Sequence, residues 1–198
     1  MGTQGPAGDD RDGDDRSAAD LYDIVTFWKD AGSERWFTRN EAFDAELRER
    51  FEHAHCFAAS GDLTPDTPDD ALALVLLLDQ VPRNIYRGTP HAYATDPLAR
   101  SVARYALERQ LDRSIDPELR QFLYIPFQHS EDRSDQARSL RLFAVYHRAH
   151  PDISWLRHAR HHARLIQRFG RFPHRNRILG RKATPAEQDY LNNGGFAG

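Results

Sequence analysis

A chain of 198 residues, 39% hydrophobic and 29% charged, is long enough for one well-cored domain and hardly for two. Its single cysteine, Cys56, excludes an internal disulfide and lends nothing to a thiolate metal cluster. The net charge of −3 hides an asymmetry, since residues 133–182 hold 13 basic and two acidic side chains while residues 21–132 hold 20 acidic and 12 basic ones.

Residues 1–18 are rich in Gly and Asp and almost free of large apolar side chains, so a disordered acidic tail is expected there, with a single domain over 19–198. That start has neither the basic nor the apolar region of a signal peptide. No apolar run approaches the ~20 residues of a membrane-spanning helix. A cytoplasmic protein without a membrane partner is therefore expected. Helical spacing begins at 20–30, where Leu21, Ile24, Val25 and Trp28 share one side. Asn40 caps a second helix carrying Phe43, Leu47, Phe51, Ala54 and Ala58, which Gly61 ends. Thr67-Pro68-Asp69-Asp70 opens an apolar third helix that Pro82 should stop. Asp96-Pro97 and Asp116-Pro117 each place a capping Asp before Pro, predicting helices over 97–111 and 117–125. Others are predicted over 133–148 and from Asp152 to Phe169, with a short last one opened by the capping box Thr184-Pro185-Ala186-Glu187. Strand alternation is absent. The pattern predicts an all-α domain of seven or eight helices.

Three segments mix core residues with polar groups that need partners: 76–89, 122–132 and 162–182. Leaving such groups buried and unpaired costs roughly 1–3 kcal/mol each, so a fold that keeps them has a use for them. If the three meet, they form an interhelical pocket from Asp79, Gln80, Arg83, Asn84, Arg87, His129, Ser130, Arg171, His174, Arg175 and Asn176. Arg83, Arg87, Arg171 and Arg175 would suit an anionic small molecule or the end of a peptide, because guanidinium groups match carboxylate and phosphate in two-pronged fashion. The leading expectation is an anion-binding protein with no cofactor. A second is a hydrolase or transferase in which His129 or His174 is the acid/base and Glu131 or Asp132 orients it. The competing structural reading makes Ser130 or Asp132 a helix cap and Asp79, Arg83 and Arg87 an ion-pair network.

On the last long helix, Arg157, Arg160, His161, Arg164, Arg168 and Arg171 fall on one face, opposite Leu156, Ala159, Leu165 and Ile166. Such a stripe could hold nucleic acid by its phosphates, although no aromatic residue interleaves it to stack bases; the plainer reading is a solvated face, or one paired with acidic helices. His158 and His162 have the i, i+4 spacing of a helical zinc site. Without the Glu of HExxH no metal is expected, and His162 reads better as a core histidine bonded to a neighbour, such as a carboxylate of another helix.

The same segments carry a resemblance. Leu77 to Asn84 with Arg87 to Thr89, Pro126 to Asp132 with Asp135-Gln136, and Arg168 to Asn176 with Leu179-Gly180-Arg181 resemble the blocks of an uncharacterised family, domain of unknown function 924, with Val81 where its pattern has Phe. Phe27-Trp28, Trp36-Phe37 and Gly194-Gly195-Phe196 fit it too. The resemblance implies a tetratricopeptide-like helical array. It brings no activity.

Overall fold

Ten consecutive residues, Ala71 to Gln80, are all buried, and the domain is wrapped around the helix they form. A computed structural model describes residues 23–61, 63–151 and 155–196; the expected tail, and the expected helix start at Asp152, lie outside the described residues. The central helix begins at α4 (Pro68–Val75), where Thr67 and Asp70 form a reciprocal capping box. Helix α3 (Glu41–Ala58), capped by Asn40, and α7 (Asp96–Glu108) pack against it and its continuation. With both flanks covered, no polar face is needed, which accounts for the unbroken run Ala71–Leu78.

Pro82 does not stop this helix. The segment Leu76–Gln80 is a π-helical turn, in which Val81 N–H reaches back to Leu76 C=O, and α5 (Val81–Ile85) continues beyond it. Proline in a helix interior deprives a carbonyl of its N–H donor. Here the carbonyls four and five residues before Pro82 find donors elsewhere. Leu78 O accepts from Thr95 Oγ1 at 2.6 Å, and Leu77 O accepts from His55 Nδ1 at 2.8 Å, both donors being buried. Two neighbouring segments thus supply what the proline removes.

The remaining elements are a helix over residues 23–31 (α1), α2 (Ser33–Trp36), α6 (His91–Ala94), α8 (Pro117–Arg120), α9 (Ile125–Gln128), α10 (Arg133–Ala149), α11 (Trp155–Phe169) and α12 (Pro185–Asn192). No strand occurs among the described residues, and the domain is all-α. Among those residues no helix is long and apolar enough to cross a membrane. The stretch expected as one helix over 117–125 is instead α8, a 3₁₀ turn at Gln121–Leu123 and α9. Pro126 occupies the first turn of α9, where its missing N–H costs no hydrogen bond. Asp116 caps α8 by accepting from Glu118 N–H. Asp96 departs from that pattern: it lies inside α7 and its carboxylate makes no cap.

The main core centres on aromatic rings. Phe122, fully buried, meets Trp28, Trp36 and Phe37 with centroids 5.6, 5.1 and 6.1 Å away. A smaller cluster of Leu165, Ile166 and Phe172 joins α11 to the C-terminal segment through Phe169, Tyr190 and Phe196. Between the two lies a cavity.

Candidate functional site

The cavity has a volume of about 400 Å³. Trp36, Phe37, Ile125, Trp155 and Phe196 give it apolar walls, and Gln80, Arg83, Asn84, Gln128, His158 and His162 supply polar atoms. His129 lines it as well. Each wall has a local cause. The π turn and α5 present Gln80, Arg83 and Asn84, the one-turn helix α9 delivers Gln128 and His129, and α11 turns His158 and His162 inward while its arginines face outward.

His129 is held by Asp79, 50 residues earlier, and not by Glu131 or Asp132. Its Nδ1 lies 2.8 Å from Asp79 Oδ1 and 3.0 Å from Oδ2. Burial by itself would raise the Asp79 carboxyl, but the Arg83 guanidinium and His129 hold it below the usual carboxylate range, and Gln80 Nε2 donates to Oδ2 at 2.6 Å. Burial and the nearby Arg83 push His129 below its ordinary value. The imidazole is therefore neutral at pH 7. An ionised carboxylate only accepts, so Nδ1 carries the proton and Nε2 keeps its lone pair. No hydrogen bond engages Nε2 among the described residues.

Behind the pair runs a buried chain of charge. Arg83 Nη1 is 3.1 Å from Asp79 Oδ1 and 2.9 Å from Asp96 Oδ1, while its Nη2 is 3.0 Å from Asp96 Oδ2. Arg175 Nη1 approaches Asp96 Oδ2 at 3.4 Å. This is why Asp96 does not cap α7: its carboxylate bridges two arginines of different segments. The three polar segments do converge, joined in the order His129, Asp79, Arg83, Asp96, Arg175.

The other expected site residues divide. Arg87 donates twice to Asp44 and to Asn84 Oδ1 at the cavity rim. Ser130 donates to Asp135 and lines a second cleft together with Arg175. Glu131 accepts from Arg181 at 2.6 and 2.9 Å and from Phe172 N–H, so it fixes the C-terminal turn. Asp132 caps α10 by accepting from Ser134 and Asp135 N–H. Arg171 makes a two-pronged pair with buried Glu187, and Asn176 accepts from Arg181; neither lines the cavity. His174 sits against Phe172 and Phe196 with its Nδ1 buried and unpartnered, outside the cavity wall. His162 finds no carboxylate: its Nδ1 donates to His158 C=O at 2.9 Å, and Phe172 and Phe196 flank the ring. Burial pushes both His162 and His174 down to about 3. Among the described residues no three metal-ligating side chains come together. On the outer face of α11, Arg157, Arg160 and Arg164 are exposed and form no ion pair among the described residues, whereas Arg171, at the end of the stripe, is paired with Glu187 of α12.

Sequence reasoning misses Asp96, Gln128 and the aromatic walls as site residues. Gln128 is 5% exposed, and its Oε1 has no partner although the residue lines the cavity. No local pattern marks these roles, which arise only where α7, α9 and the C-terminal segment meet.

Fold and cavity together define an all-helical domain with an aromatic-walled cavity between helices, entered by one carboxylate-held imidazole. The model of the family described as bacterial protein of unknown function (DUF924) matches residues 24–195, and the chain belongs to that family. A solved structure, that of the protein of unknown function ATU0120 from Agrobacterium tumefaciens, is similar at 46% identity and a TM-score of 0.82, over 90% of this chain and 99% of that one. Among curated proteins none matches.

Proposed function

We propose that the protein is an enzyme in which His129 moves a proton to and from a small substrate lodged against the aromatic walls. The Asp79–His129 pair carries this reading. A neutral imidazole, fixed in one tautomer by a buried carboxylate, lining a ligand-sized cavity and with its second nitrogen in no hydrogen bond among the described residues, supports a general base. The arginines that favour a pure anion-binding protein in the sequence support that alternative less, because Arg83, Arg87 and Arg171 are each taken up by carboxylates.

Among the described residues lining the cavity there is no hydroxyl, thiol or amine to form a covalent intermediate. The chemistry that fits is direct. His129 Nε2 takes a proton from water or from a substrate hydroxyl, and that oxygen attacks the electrophilic centre. Asp79 stabilises the imidazolium, which returns the proton to the leaving group. The reaction class is hydrolysis or group transfer.

The test needs no known substrate. Phenacyl bromide, an aryl haloketone that can enter an aromatic cavity, is attacked by a neutral imidazole nitrogen with loss of bromide. Peptide mass mapping should find the label on His129 ahead of exposed His53, with about tenfold or greater slowing in Asp79→Asn. Labelling spread over surface histidines, with His129 spared, would refute the general-base reading. A hydrolase and transferase substrate screen with His129→Gln as the inactive control would then name the reaction.

A further inference from the structure

We propose that the cleft on the other side of His129 is an anion subsite, in which Arg175 and Arg100 hold a carboxylate or phosphate group of the substrate. The cleft has a volume of about 290 Å³ and is lined by Tyr93, Asp96, Arg100, His129, Ser130 and Arg175 among others. Arg175 carries the argument. It is only 6% exposed, yet among the described residues just one of its five N–H donors finds a carboxylate, at a long 3.4 Å, and its Nε has no partner there. Its guanidinium lies between the rings of Tyr93 and Phe172, at 4.5 and 4.6 Å from their centroids, so it is held in place by stacking rather than by ion pairing.

The other arginines of the region set the contrast. Arg83, Arg171 and Arg181 each grip a carboxylate through contacts of 3.0 Å or less. Arg100 shares the looser condition of Arg175, with its Nε 3.4 Å from Asp135 Oδ2, on a carboxylate that Arg104 and Ser130 also contact. The two acidic groups of the cleft are already committed, Asp96 to Arg83 and Glu131 to Arg181 and Phe172 N–H. They therefore repel an incoming anion less than bare carboxylates would. Burial, and then the neighbouring Arg83, draw Arg175 down to about 10, which marks a cation short of compensating charge. Unfilled donors on a buried cation are costly, and an oxyanion fills them with charge-assisted bonds.

His129 lines both this cleft and the aromatic cavity. If the general-base reading holds, the substrate has an apolar or planar part on one side of the imidazole and an anionic group on the other. That step rests on the proposed function; the subsite itself does not.

The experiment is an NMR titration of the arginine Nε–H signals of the ¹⁵N-labelled protein, run separately with sodium phosphate and sodium acetate at constant ionic strength. Contacts to the Tyr93 and Phe172 rings identify the Arg175 signal without a variant. The expected result is a saturable shift of that signal in the millimolar range in the wild type, weakened in Arg100→Gln. Response to phosphate alone or acetate alone decides which group the substrate carries. An Arg175 signal unmoved by either anion, or one drifting without saturation like those of exposed Arg160 and Arg164, overturns the proposal. Saturable binding alongside failure of His129 to be alkylated would leave the subsite standing and remove only the general base.

Discussion

His162 and His174 make the fold sensitive to mild acid, by an amount that can be estimated. In an unfolded chain both imidazoles take up protons below their ordinary value of 6.5, whereas burial holds the folded ones near 3. The unfolded state therefore binds more protons throughout that window, and stability falls as pH falls. Each histidine contributes a slope approaching about 1.4 kcal/mol per pH unit. Between pH 6.5 and 5 the two together should remove about 3 kcal/mol, a large part of the 5–15 kcal/mol typical of a domain. The window avoids the carboxylates: Asp79, Glu131 and Glu187 are held low in the folded state, and their contribution is lost only below about pH 5. Urea denaturation followed by tryptophan fluorescence at several pH values gives the slope. His162→Phe keeps a ring of similar size against Phe172 and Phe196 and should cost about 1 kcal/mol at pH 7 for the lost bond to His158. It should also flatten the slope by roughly one proton. Equal slopes in variant and wild type would show that His162 is protonated in the folded protein, and the account of its burial would fail.

Other outcomes follow from single contacts. Thr95→Val keeps the shape of the side chain but leaves Leu78 C=O without its donor beside Pro82, and should cost roughly 1–3 kcal/mol by urea denaturation. Phe122→Ala empties the centre of the aromatic core and should cost about 3–5 kcal/mol in the same assay. Gly195→Ala would place a methyl group 2.5 Å from the Tyr190 ring and carbonyl, so the segment holding Phe196 must move; the expected sign is faster phenacyl labelling of His129 with the fold retained. The triple change Arg157, Arg160 and Arg164→Glu removes no ion pair among the described residues, so it should shift stability by no more than about 0.5 kcal/mol.

Helix periodicity and capping carried most of the architecture. Asn40, Thr67, Asp116 and Thr184 cap the helices that their side chains announce. Pro82 misleads because the rule against proline assumes that the freed carbonyls have no other donor; His55 and Thr95 come from segments that sequence spacing cannot bring near. Asp96 misleads in the opposite sense, as a residue with a good local job that the fold employs elsewhere. The three polar segments were legible as a cluster because their composition is costly to bury. Their pairings were not: Glu131 and Asp132 stand next to His129 in sequence, but one braces the C-terminal turn, the other caps α10, and Asp79 holds the imidazole.

The wide turn at Leu76–Gln80 has a consequence for how the site tolerates change in chain length. A π turn holds one residue more than the α-helical path it replaces, so it takes up a surplus residue between the capped start of the helix and its end. Deleting Leu78 would let the segment close into regular α-helix while the residues after it keep nearly the same path. Arg83 and Asn84 would stay at the cavity wall and the capping box at Thr67 would keep its place, the change falling on Leu76–Gln80 alone. The wide turn is thus a slack link, the one place in the central helix where the chain can shorten by a residue without turning the helix end away from the cavity.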